Sequence, residues 1–204
     1  MPLQDFETFQ LVMAFFFILM DELIDITDEN GKLLGRSELK SIIHQKGLYH
    51  HTAHVWLYTK NGEVLLSQRS AKKAICPLMW DVSVAGHVDA GETIKQAGVR
   101  EIFEEIGLSI TEDKLLKIGV FECFQSYENG MTDNEFHNTF LAELTVPISS
   151  LKAQEEEVEA LKLISLTEFD ELIADINTNN LHFVPSNKTY YEFVSEKIKE
   201  ALQP

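Results

Sequence analysis

The chain has 204 residues, 45% of them hydrophobic and 25% charged, which is the composition of one globular domain able to bury a core. Its formal net charge of −16 argues against a nucleic-acid or anionic-membrane partner, either of which must meet a basic surface, but leaves room for a small anionic substrate held by a metal. Cys76 and Cys123 are far apart with no CxxC, so neither a disulfide framework nor a cysteine zinc site is implied and a reduced, cytoplasmic setting is expected.

Leu11 to Met20 (LVMAFFFILM) is an unbroken apolar run. It is too short to span a bilayer. Asp5 and Glu7 precede it with no Lys or Arg, unlike a signal peptide. Residues 1–19 are therefore expected to be an apolar extension arising from an upstream start codon, with residues 20–204 forming a single domain. Leu23 to Ile26 and Lys32 to Leu34 flank Asn30-Gly31, a hairpin turn signal. Ser37 is expected to start a short helix through about His44. Strands are expected over Ala53 to Thr59, Val64 to Gln68 and Trp80 to Val84, with Asn61-Gly62 turning the first two. Further strands follow at Leu115 to Gln125, Phe136 to Leu144 and Glu159 to Ile164. Thr167 and Asp170 resemble a capping box opening a helix to about Ile176, and Tyr190 to Leu202 reads as an amphipathic helix. Strands and helices mix without strict βαβ alternation, which predicts an α+β architecture.

The segment GHVDAGETIKQAGVREIFEEIGL spans residues 86–108. Glu101, Glu104 and Glu105 sit at i, i+3 and i+4 of its helix, so like charges share one face. Two of them fall in the last turn before Gly107, where the helix dipole disfavours negative charge. Only Arg100 stands nearby in sequence. A divalent cation held by three carboxylates explains the pattern, since local rules are broken mainly for function. Val99, Ile102, Phe103 and Ile106 form an apolar stripe for the core, and Gly98 suggests a close backbone contact.

Gly86, five residues, Glu92, seven residues and then Arg100-Glu101-Ile102-Phe103-Glu104-Glu105-Ile106-Gly107 resembles the Nudix box at every defined position. The resemblance implies a mixed β-sheet sandwiched between α-helices, here with an N-terminal β-hairpin extension. It implies a Mg²⁺- or Mn²⁺-dependent hydrolase that cleaves a diphosphate linkage in a nucleoside-diphosphate derivative or other organic diphosphate. Gly86, Glu101, Glu104 and Glu105 would hold the metal. Glu101 or Glu105 would orient or deprotonate the attacking water, and Arg100 would pair with Glu92 structurally. The expected partners are a small-molecule diphosphate and, in a homodimer, a second copy of the chain.

The run QRSAKKAICPLMWDVSVAGH also resembles type 1 isopentenyl-diphosphate isomerases, a Nudix-fold branch. By that resemblance Arg69 and Lys73 contact substrate phosphate. His44, His51 and His87 fall where the isomerase supplies three imidazoles to a metal, and Asp133 and Glu135 where it supplies two carboxylates. A second, transition-metal ion is thereby implied, of the kind imidazoles prefer. The isomerase's catalytic cysteine would fall at Ala85, which has no proton to give. The closer likeness is to isomerase-like Nudix hydrolases. An isomerase and a diphosphate-sensing module without turnover are the competing readings; the complete glutamate set argues against both. Glu155, Glu156 and Glu157 form an acidic run in which one residue could assist the metal or the attacking water, and the sequence does not choose among them.

Overall fold

The structure, a computed structural model, describes residues 21–174, 183–184 and 188–203. The apolar run before Asp21, and the expected end of the helix at Ile176, lie outside the described residues. Among the described residues the fold is a nine-stranded mixed sheet with helices on both faces.

β1 (Leu23–Thr27) and β2 (Leu33–Leu39) form the expected N-terminal hairpin. Gly31 takes a left-handed φ of 78° in its turn, a conformation that costs glycine little. The helix expected from Ser37 begins later: α1 covers Lys40–Lys46. Ser37 stays in the ladder opposite Asp25 and donates its hydroxyl to that carboxylate at 2.5 Å. β3 (Tyr49–Tyr58) is the central strand and starts four residues before the expected Ala53. Its parallel partner β8 (Thr132–Glu143) pairs with it from Tyr49↔Asn134 to Tyr58↔Glu143, and that ladder recruits the polar residues 49–52. β4 (Glu63–Arg69) meets β3, β5 and β9. The strand expected over Trp80 to Val84 is split into β5 (Trp80–Asp81) and β6 (Val84–His87). Ser83 causes the break: its hydroxyl donates to Leu65 O at 2.6 Å and accepts from Leu57 N–H at 2.8 Å. β7 (Leu116–Ser126) is antiparallel to β8, and β9 (Val158–Ser165) to β4.

Strand alternation divides the core between the faces. Val55 and Leu57 of β3 pack with Ile102 and Ile106 of α2 (Ile94–Ile106). Trp56 packs on the other face with Phe169 of α3 (Leu166–Ala174) and with Tyr190, Tyr191 and Val194 of α4 (Lys188–Ala201). The capping role expected of Thr167 falls to Ser165, whose hydroxyl accepts from Glu168 N–H at 3.1 Å; Thr167 itself is already inside the helix. No helix among the described residues is long and apolar enough to cross a membrane.

Candidate active site

α2 is set by both of its ends. Thr93 accepts from Gln96 N–H at 3.2 Å while the Gln96 side chain accepts from Thr93 N–H at 2.9 Å, a capping box; such a cap contributes about 1 kcal/mol. Gly107 ends the helix in a left-handed conformation. A Cβ at Gly98 would lie 3.2 Å from Leu115 Cδ1 and 3.5 Å from Val55 Cγ2, so the helix rests close on the sheet. Phe103 is a correction to the expected stripe. It is 59% exposed, because the buried face runs through Ala97, Gly98, Ile102, Glu105 and Ile106 and leaves Phe103 on the far side.

That rotation buries Glu105. Its carboxyl is pushed well above the usual range, first by burial and then by the nearby Glu101 charge. Glu101 folds over β6, and a Cβ at Gly86 would overlap its carboxylate. Burial raises Glu101 to about 7, although Arg100 opposes the shift. Arg100 joins the loop to the helix. Nε and Nη2 each donate to Glu92 at 3.0 Å, Nη1 donates to Glu101 at 2.8 Å and to Glu104 at 3.1 Å, and Nη2 donates to His87 O at 3.0 Å. Glu104 is the most exposed of the three glutamates, with half its side chain in solvent. One cation is thus shared among several carboxylates, and the hard oxygen donors of Glu101, Glu104 and Glu105 fit Mg²⁺ or Mn²⁺.

These groups line a cleft of about 580 Å³. Arg69 and Lys73 reach it from β4 and the loop that follows. Arg69 donates to Ile75 O at 3.1 Å and lies 3.4 Å from Asp81 Oδ2; Lys73 is paired with Glu157. Glu157 is therefore the member of the acidic run that lines the cleft, and its charge contributes to the raised pKa of Glu105.

Three histidines meet on the α4 face of the sheet. The ring centroids of His44, His50 and His87 are 5.4, 5.2 and 5.3 Å apart. Their ligand atoms lie within 4.8 Å of one another and of Glu135. His50 Nε2 and His87 Nε2 are buried without a hydrogen-bond partner among the described residues. Asp133 Oδ1 lies 2.9 Å from His44 Nδ1. His50 Nδ1 faces Leu48 O at 3.0 Å, so Nδ1 carries the proton and the Nε2 lone pair is free for an ion. Buried lone pairs converging on one point cost free energy unless something fills it, so these residues fit a transition-metal ion.

His51 is a correction to the expected set. Neighbours on a strand face opposite ways, and His51 points to the other face. Its Nε2 faces Gly31 O at 2.9 Å, and Asn138 Nδ2 donates to Nδ1 at 3.1 Å. Both ring nitrogens are spent, and His50 stands in the cluster instead.

The box residues are now together on one loop and helix. A family model described as the NUDIX domain matches residues 48–186. The chain belongs to the Nudix family. It is 36% identical over 152 residues to an uncharacterised Nudix hydrolase of Clostridium acetobutylicum, covering 72% of each chain. It is 32% identical over 161 residues to Nudix hydrolase 3 of Arabidopsis thaliana; that match covers 76% of this chain but spans only 21% of the plant protein's length. An isopentenyl-diphosphate Delta-isomerase of Photorhabdus laumondii is 29% identical over 155 residues, 76% of this chain and 83% of the enzyme. A solved structure from Deinococcus radiodurans superposes with a TM-score of 0.62 at 19% identity, over 89% of this chain and all of the other, which supports the fold.

Several residues of this Nudix site escape sequence reasoning. Glu22 and Lys40, from the hairpin and α1, lie outside the matched region, yet both line the cleft. Glu22 Oε2 is 3.5 Å from His87 Nδ1, and Lys40 Nζ donates to both Glu22 oxygens at 3.0 and 2.9 Å. His54 and His137 face the same cleft. Their strand parity was available: positions 50, 54 and 56 share a face once β3 is begun at Tyr49. No local signal marks Glu22 or Lys40.

Proposed function

We propose that the protein is a Mg²⁺- or Mn²⁺-dependent hydrolase that cleaves a diphosphate linkage in a nucleoside-diphosphate derivative or other organic diphosphate. The observation that carries this reading is the pair of carboxylates with raised pKa, buried Glu105 and partly buried Glu101, set beside Gly86 in a cleft that Arg69 and Lys73 also line. A divalent cation held by Glu101, Glu104, Glu105 and the Gly86 carbonyl would neutralise phosphate charge and acidify a water.

The chain's own groups supply the rest. Arg69 binds phosphate through its planar fork and Lys73 as a point charge; both exchange their present carboxylate partners for substrate. Glu101, which accepts a hydrogen bond from Arg100, or Glu105 would take the proton of the attacking water once the bound cation has displaced its own proton. Arg100 and Glu92 hold the loop against the helix. Ala85 stands beside Gly86 without an acidic proton, so hydrolysis is favoured over isomerisation. The His44, His50, His87 and Glu135 group, with Asp133 beside it, holds a second ion of the Mn, Fe or Zn type. Phosphate release with Mg²⁺ across nucleoside-diphosphate derivatives and prenyl diphosphates tests the reading. No release from any of them, in a protein that binds them, would favour a sensing module.

A further inference from the structure

Glu135 divides its two oxygens between two groups of histidines. Oε1 lies 3.5 Å from His50 Nε2 and 3.9 Å from His87 Nε2, whereas Oε2 lies 2.9 Å from His137 Nε2. His54, Glu135 and His137 also bring their ligand atoms within 4.8 Å of one another, but the ring geometry does not suit an ion. The His54 and His137 rings are stacked, with centroids 3.8 Å apart and planes 22° apart. An imidazole nitrogen offers its lone pair in the plane of its ring. An ion in the plane of one stacked ring therefore lies off the plane of the other.

The stack serves instead to immobilise His137. His54 Nδ1 lies 3.2 Å from the Tyr190 hydroxyl, which accepts from Trp56 Nε1 at 2.9 Å. All four side chains are buried. A run of packed groups thus leads from α4 to the carboxylate beside the three imidazoles. The terminal torsion of a glutamate is broad when nothing holds it. Here Oε2 is held, so Oε1 is the oxygen presented to the cluster.

We propose that His137 is a positioning residue for the ion at His44, His50 and His87: by donating from Nε2 to Glu135 Oε2 it fixes that carboxylate as a one-oxygen ligand. The proposal rests on the second-ion reading given above. Partners of this kind, one shell out from the metal, typically change metal affinity about 10–100-fold.

The test is Co²⁺ titration of the full chain in excess Mg²⁺, followed by the visible d–d absorption of the bound ion. His137→Phe keeps a flat ring to stack on His54 but removes the donor; His137→Gln restores a donor. Wild type should bind one Co²⁺. His137→Phe should bind it about 10–100-fold more weakly with a shifted absorption band, and His137→Gln should recover much of both. If His137→Phe does not fold, His137→Met is also donor-free and carries the same expectation. An unchanged affinity and spectrum in the donor-free variants would overturn the proposal. So would a second Co²⁺ in wild type that disappears in His137→Phe, because His137 would then be a ligand. No Co²⁺ binding by wild type would remove the second-ion reading itself, which is a separate result.

Discussion

Glu101 lies across Gly86 so closely that a methyl group at position 86 would occupy the space of its carboxylate. Gly86 is not among the residues with positive φ, so its backbone would accept alanine without strain. The requirement for glycine is the approach of this one side chain. Gly86→Ala should therefore leave the fold intact and displace Glu101 from the metal-binding position. We expect diphosphate hydrolysis to fall by about 100-fold or more, comparable to losing a group that acts directly on the reaction, with a modest change in Tm. A variant with near wild-type turnover would show that Glu101 does not work from this position.

Glu101 and Glu105 make a prediction about pH. In an unfolded chain glutamate titrates at about 4.3; in the fold Glu101 is raised to about 7, and Glu105 is raised well above its usual range. The folded state therefore binds more protons between those values. The stability these groups contribute is present below the unfolded value and is lost as pH rises through the folded one. In the presence of a chelator, Glu101→Gln should match wild type in Tm at about pH 4 and exceed it increasingly up to about pH 7, beyond which the difference levels off. A constant difference across that range would mean that burial does not penalise the Glu101 charge.

Arg69 is held by Ile75 O and Asp81 in a planar arrangement that a lysine cannot copy. Arg69→Lys should raise KM about tenfold with little change in kcat, the signature of lost ground-state phosphate binding. Steady-state kinetics on the best substrate will decide. A fall in kcat at unchanged KM would assign Arg69 to the transition state instead.

The two adjacent histidines of β3 separate the metal reading from a purely structural one. Protein purified without chelator should carry about one transition-metal ion per chain, of the affinity typical of imidazole sites. The double variant His50→Ala, His87→Ala should lose it, and His51→Ala should keep it. Elemental analysis of the three proteins is sufficient. Metal loss in His51→Ala, with the double variant keeping its metal, would restore His51 to the cluster.

The sequence by itself was enough to find the loop–helix unit. Fixed spacings along one helix translate directly into a shared face, so Glu101, Glu104, Glu105, Arg100 and Gly86 were legible without coordinates. The N-terminal hairpin and most strands could be read for a similar reason, since turn residues and short-range alternation are local. Strand limits were less legible, because β3 is lengthened by pairing with β8 across more than eighty residues of chain.

Tertiary structure decided what depends on such pairing. Moving the start of β3 from Ala53 to Tyr49 places residues 49–52 on the pleat, and one step along a pleat separates opposite faces; this chose His50 over His51. The rotation of α2 on the sheet exposed Phe103 and buried Glu105, since a helix face is fixed by what it packs against. Glu157 was singled out from its two neighbours by its contact with Lys73 from a distant loop. Glu22 and Lys40 entered the cleft only because the hairpin and α1 fold beside β6. Each of these depends on which distant segment lies alongside, and that is a property of the packed chain rather than of any local run of residues.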